Sequence, residues 1–143
     1  MDEPASGQAR AAYLAVLQVG RILQARAEPV FASAGLTATQ FGVLETLLHG
    51  GPLGQRALTA KVHTSAGNMT DVIDKLEARG LLHRARQRAD RRAVLVELTP
   101  AGRSLIEAVF PRHEAAVADA LAALDDQDLR LLIALPAKLG DGA

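Results

Sequence analysis

The chain has 143 residues, no cysteine, and sixteen lysines and arginines against sixteen aspartates and glutamates. That length fits one domain with a real core, and an apolar content near half excludes a disordered chain. Without cysteine there are no disulfides, thiolate metal sites or thiol redox sensors; with no N-terminal signal pattern and no apolar run near 18 residues, we expect a soluble, cytoplasmic protein without a membrane partner.

Residues 1–7 read as a frayed terminus. Leu14, Leu17, Ile22, Leu23, Val30 and Phe31 then recur at helical spacing, giving a helix over about 8–34 with a kink or break at Pro29. Thr37 and Gln40 fit a capping box that opens a second helix, with Phe41, Val43, Leu44, Leu47 and Leu48 on its buried face. Gly50-Gly51-Pro52 ends it; no Gly-Lys-Ser/Thr follows, so this is a turn rather than a phosphate loop. Pro52-Leu53 suits a very short strand, and residues 54–62 a short helix with Leu58 and Val62 inward.

His63-Thr64 makes a tight turn. Ser65 then caps a helix that packs through Met69, Val72, Ile73 and Leu76 and stops at Gly80. Short helix, turn and second helix make a helix-turn-helix. Residues 81–87 and 92–98 form the strands of a hairpin, with Val94, Val96 and Leu98 alternating to one side. Thr99-Pro100 starts a helix reaching about residue 123, bent at Pro111. Asp125 caps a last helix, to about 139, that is apolar nearly all round and so requires burial on more than one side.

Charge is unevenly placed. Residues 1–54 carry three Arg against four Asp/Glu, net −1; residues 97–143 carry four Lys/Arg against eight Asp/Glu, net −4. Residues 55–96 carry nine Lys/Arg against four Asp/Glu, net +5, which suits a polyanionic partner. Within them, Ser65, Gly67, Asn68, Thr70, Asp71 and Lys75 lie off the apolar stripe of the second helix. Asn can read adenine, Ser and Thr can bond bases or phosphates, and Gly67 allows close backbone approach. Arg84, Arg86, Arg88, Arg91 and Arg92 put five guanidiniums in nine residues, chemistry suited to phosphate and narrow minor grooves.

Asp74-Lys-Leu-Glu-Ala-Arg-Gly-Leu-Leu and Asp90-Arg-Arg-Ala-Val-Leu-Val-Glu-Leu-Thr-Pro-Ala-Gly102 resemble the MarR (multiple antibiotic resistance regulator) winged helix-turn-helix repressors, over nearly the whole chain. The resemblance implies that Arg92 enters the minor groove with Asp90 orienting the tip, flanked by Arg88 and Arg91, and that Thr70 and Lys75 contact DNA. Asp71 departs from the pattern, in which many members carry arginine; it either reads a cytosine N4 or points away. It also implies a homodimer on a pseudo-palindromic double-stranded operator, released by a small aromatic or lipophilic effector. Thr70, Arg84 and His113 are the candidate ligand residues.

The expected fold is therefore mainly α with a small β-hairpin wing, about six helices and two to three strands. It is a single domain over 1–143. Its winged helix-turn-helix lobe covers 37–98, the wing 81–98, and the helical dimerisation region 8–34 and 100–140. The alternative is a sequence-indifferent architectural DNA-binding protein. The four histidines lack short ligand spacing, and no phosphate loop or nucleophile motif occurs, so no metal, cofactor or enzymatic activity is expected.

Overall fold

The computed structural model describes residues 3–86 and 94–140, with side chains from residue 6 onward. Its elements are α1 (Glu3–Ser33), α2 (Ala38–Gly50), β1 (Leu53–Gly54), α3 (Gln55–Val62), α4 (Ala66–Ala78), β2 (Leu82–Arg86), β3 (Val94–Leu98), α5 (Pro100–Ala120) and α6 (Asp126–Leu139). The expected class, mainly α with a small antiparallel wing, is what forms. Several boundaries differ. The helix starts at Glu3 rather than near residue 8, because Pro4 lies in the first turn, where its missing N–H has no intrahelical acceptor to lose.

Nor does Pro29 break α1, and α5 and α6 likewise run unbroken through Pro111 and Pro136. All three prolines are exposed, so water can satisfy the carbonyls their rings leave unpaired. α5 ends at Ala120, three residues short of expectation. The outer ends of the expected strands, at 87, 92 and 93, lie outside the described residues.

The chain divides into two compact units, residues 1–26 with 115–143, and residues 27–114. In the first, Arg26 pairs with Asp119 at 3.1 Å. None of its described side chains is fully buried. Tyr13, Val16 and Ile22 of α1, and Leu131, Ile133 and Leu139 of α6, are exposed; Ile133 is 79% exposed. A capping box at Asp125 and Asp128 and a left-handed Gly140 fix the ends of α6. Local signals thus define a helix whose apolar surface stays uncovered within this unit.

The second unit holds the core. Thr37 and Gln40 form the expected capping box, at 3.1 and 3.0 Å. Leu44, Leu47, Leu58, Met69, Ile73, Leu76, Leu82, Val96 and Ile106 are buried together. Phe31 from the end of α1 and Val109 from α5 join them. The sheet is antiparallel with order β1-β3-β2; Leu53 pairs with Val96, and Leu82 through Arg86 pair with Leu98 through Val94.

The end of α4 and the start of α5 meet backbone to backbone. The N–H of Leu81 closes α4 onto Leu76 O at 3.0 Å, and Leu81 O accepts from Thr99 N at 3.1 Å. Thr99 Oγ1 donates to Gly80 O and accepts from Gly102 N at 3.0 Å. A Cβ on Gly102 would fall 1.8 Å from Leu81 O, which is why the sequence needs glycine there. Gly102→Ala should therefore lower the unfolding free energy by about 2–3 kcal/mol, measured by urea titration. A change under about 0.5 kcal/mol would mean that this approach is not tight.

Candidate nucleic-acid interface

α4 separates its residues cleanly. Met69, Val72, Ile73 and Leu76 are buried, whereas Ser65, Gly67, Asn68, Thr70, Asp71 and Lys75 are all exposed on other faces. The turn before it is tight because His63 adopts the left-handed conformation, φ 58° and ψ 50°. Ser65 Oγ then accepts from Asn68 N at 3.1 Å and caps the helix, as expected. The first-turn N–H groups and the helix dipole leave this end attractive to phosphate.

Side-chain hydrogen bonds arrange the polar face. Asn68 Nδ2 donates to Thr64 Oγ1 at 2.7 Å. Thr70 Oγ1 donates to Ala66 O at 3.1 Å and accepts from Gln55 Nε2 at 2.7 Å. Gln55 was not singled out in the sequence, and Thr64 was read only as part of the turn. Gln55 could not have been, since its bond to Thr70 spans fifteen positions with no local signature. Gln55, Arg56, Thr59, His63 and Thr64 also line an open hollow of about 570 Å³ beside the helix start. Nothing lies within 4 Å of a Cβ built on Gly67, so the protein itself does not require glycine there.

Asp71, the acid on this face, pairs with Lys75 at 3.1 Å one turn along. The two charges largely cancel at the surface, which makes Asp71 less repulsive to a polyanion. Arg84 turns inward to carboxylates. Its Nη2 donates to Asp74 Oδ1 at 2.7 Å and its Nη1 to Glu77 Oε1 at 2.8 Å, while its backbone N–H reaches Glu77 Oε2 at 3.1 Å. The hydrogen bond to Asp74 pushes its pKa above the ordinary arginine value; burial opposes this, and the charges of Asp74 and Glu77 add to it. Arg88, Asp90, Arg91 and Arg92, the expected wing tip, lie outside the described residues.

The candidate ligand residues each have separate neighbours. Thr70 meets Gln55, and Arg84 meets Asp74 and Glu77. His113 lies with its ring 4.4 Å from that of Phe41 and 5.8 Å from that of Phe31. His49 meets the edge of Phe110 at 4.6 Å. Among the described residues no group of three or more His, Cys, Asp or Glu could hold a metal ion, and no helix is long and apolar enough to cross a membrane.

Two helices joined by a tight turn, followed by a hairpin that pairs with a short third strand, define a winged helix-turn-helix protein. The MarR family model matches residues 36–94. The HTH-type transcriptional regulator MhqR of Bacillus subtilis is 31% identical over 106 residues, which cover 74% of this chain and 73% of that one. The chain belongs to the MarR family of DNA-binding transcriptional regulators. Its fold matches the MarR family regulator AbsC of Streptomyces coelicolor with a TM-score of 0.84, at 24% identity, over 93% of this chain and 92% of that one. It also matches Bordetella bronchiseptica BpsR, whose DNA binding is regulated by 6-hydroxynicotinic acid; there the TM-score is 0.79, at 29% identity, over 88% and 90% of the two chains.

Ser65 offers a test that separates folding from DNA contact. Ser65→Ala should cost about 1 kcal/mol of stability. Ser65→Asp should retain the cap yet weaken binding to duplex DNA by about tenfold or more, because it sets a carboxylate where phosphate would approach. Urea unfolding and a duplex titration measure the two; full DNA affinity in Ser65→Asp would remove this end of α4 from the interface.

Proposed function

We propose that the protein is a homodimeric repressor acting in the cytoplasm. It binds a pseudo-palindromic double-stranded operator and is released by a small aromatic or lipophilic effector. The observation that carries the DNA-reading part is the division of α4 into a fully buried stripe and an exposed polar face whose cap, Asn68 and Thr70 are already held by hydrogen bonds. A preordered face loses little side-chain freedom on binding. Each α4 enters a major groove, and Arg92, with Arg88 and Arg91 beside it and Asp90 orienting the tip, enters the neighbouring minor groove.

The dimer is supported by the first unit, where α1 and α6 expose aliphatic side chains and bury none completely. A second copy covers that surface and places the two α4 helices roughly 34–36 Å apart, one turn of B-DNA. The effector class is supported by BpsR, which responds to a hydroxylated aromatic acid. Release requires that the effector favour a dimer whose α4 spacing misfits the operator. Repression itself rests on the resemblance to the family's repressors.

Selection of duplexes from a random pool tests this reading directly. The expected product is an inverted repeat with half-site centres about one helical turn apart. Equal affinity for selected and arbitrary duplexes would replace the repressor with a sequence-indifferent binder. Adding 6-hydroxynicotinic acid or a related phenolic acid should release the selected duplex. Arg92→Ala should weaken selected-duplex binding and flatten the plot of log affinity against log salt by about two for a dimer. Sedimentation should still show two copies; an unchanged salt slope would refute the wing contact.

A further inference from the structure

Among the arginines clustered in the second unit, Arg84 is held by carboxylates. Arg84 sits at the middle of β2, opposite Val96 of β3, and its side chain is 28% exposed. Its guanidinium joins two carboxylates three residues apart on the last turns of α4, Asp74 and Glu77. Glu77 gives one oxygen to that guanidinium and the other to the backbone N–H of the same residue. Strand and helix are therefore tied through side chain and main chain at one point. A planar guanidinium holds such a fork in a fixed orientation, which an ammonium does not.

The connection between α4 and β2 is held at its root by Leu81 and Thr99, which leaves the angle of the strand beyond that root to other contacts. The connection passes through Gly80, at φ 72°, and a Cβ there would meet nothing within 4 Å. On its far side the hairpin is supported by β1, only two residues long, which pairs with Leu95 and Val96 and reaches no further along β3. β2 is an edge strand. Arg84 lies level with that support, its partner Val96 being paired on the other side with Leu53, and it ties to α4 the edge strand that β1 does not touch.

We propose that Arg84 is a positioning residue for DNA recognition. By joining β2 to Asp74 and Glu77 it sets the angle of the wing to the recognition helix, so that one rigid lobe meets two grooves at once. Its charge is used inside the protein, so it does not itself neutralise a phosphate. The inference rests on the reading that helix and wing bind DNA together.

Two features of the expected behaviour distinguish positioning from contact. Arg84→Gln should weaken binding to a duplex selected by the unaltered protein by about tenfold, while the salt slope stays the same. A phosphate-contacting arginine would flatten that slope. The second is a reversal of sign. Neutralising carboxylates near DNA strengthens binding if only charge matters. The pair Asp74→Asn with Glu77→Gln should instead weaken selected-duplex binding, and adding Arg84→Gln to it should cost little more.

The experiment measures these three variants on the full chain, with a selected and an arbitrary 30-bp duplex as probes across a salt series. Amide exchange of the free proteins is measured alongside, and should quicken in the peptide covering 82–86 but not in α2. Lower selected-duplex affinity at constant slope, with exchange confined to the strand, supports the inference. A flattened slope, tighter binding by the double variant, or unchanged strand exchange overturns it. General unfolding of Arg84→Gln, seen as faster exchange in α2, would make Arg84 a stability residue and also overturn it. If the unaltered protein selects no duplex, the underlying reading fails and the inference falls with it, an outcome visible before any variant is made.

Discussion

Four residues around one carbonyl hold the second unit in register. Leu81 O accepts from Thr99 N and rests against the bare α-carbon of Gly102, while Thr99 Oγ1 bonds Gly80 O and Gly102 N. The end of α4, both strand roots of the hairpin and the first turn of α5 are thereby fixed within one turn of helix. Leu81 and Leu82 are buried beside them and lead directly into the core around Ile73 and Leu76. Displacing any one of these segments disturbs the other three. The motif Leu-Thr-x-x-Gly is thus a close-packing requirement before it is a family signature.

What the sequence made legible was mostly local. The capping pair of Thr37 and Gln40, the single caps at Asp125 and Ser65 and the glycine stop at 80 all concern neighbours along the chain. Apolar periodicity likewise identified every buried residue of α4. The prolines misled because a proline's cost depends on which face of the helix it occupies, and periodicity alone did not settle that. Long-range polar partners were invisible for a different reason: Gln55 with Thr70, and Arg84 with Asp74, are joined only after the core has brought their elements together. The four wing-tip residues from Arg88 to Arg92 singled out in the sequence lie outside the described residues, so their part in the site stands on sequence alone.

Charge also changes meaning once partners are known. Residues 55–96 carry four acids, and three of them, Asp71, Asp74 and Glu77, are engaged by Lys75 and Arg84. Arg79 is occupied too, with Nη1 2.8 Å from Gly35 O, where it satisfies a carbonyl beyond the end of α1. The local excess of five positive charges is therefore the remainder after internal pairing rather than a uniform basic patch. Hence α4 is nearly neutral over its exposed middle, and in the proposed complex hydrogen bonds from Asn68 and Thr70 would weigh more there than attraction to phosphate.

The uncovered aliphatic surface of α1 and α6 bears on gene dosage. A unit with no fully buried side chain among its described residues has little stability of its own, so in the proposed dimer its folding and its association are one equilibrium governed by mass action. The amount of DNA-competent protein then rises more steeply than the amount synthesised while the chain is scarce. Dilution at cell division would weaken control out of proportion to the protein lost, and a modest rise in expression would restore it abruptly. A helix that looks unfinished in one copy would give the regulator a threshold.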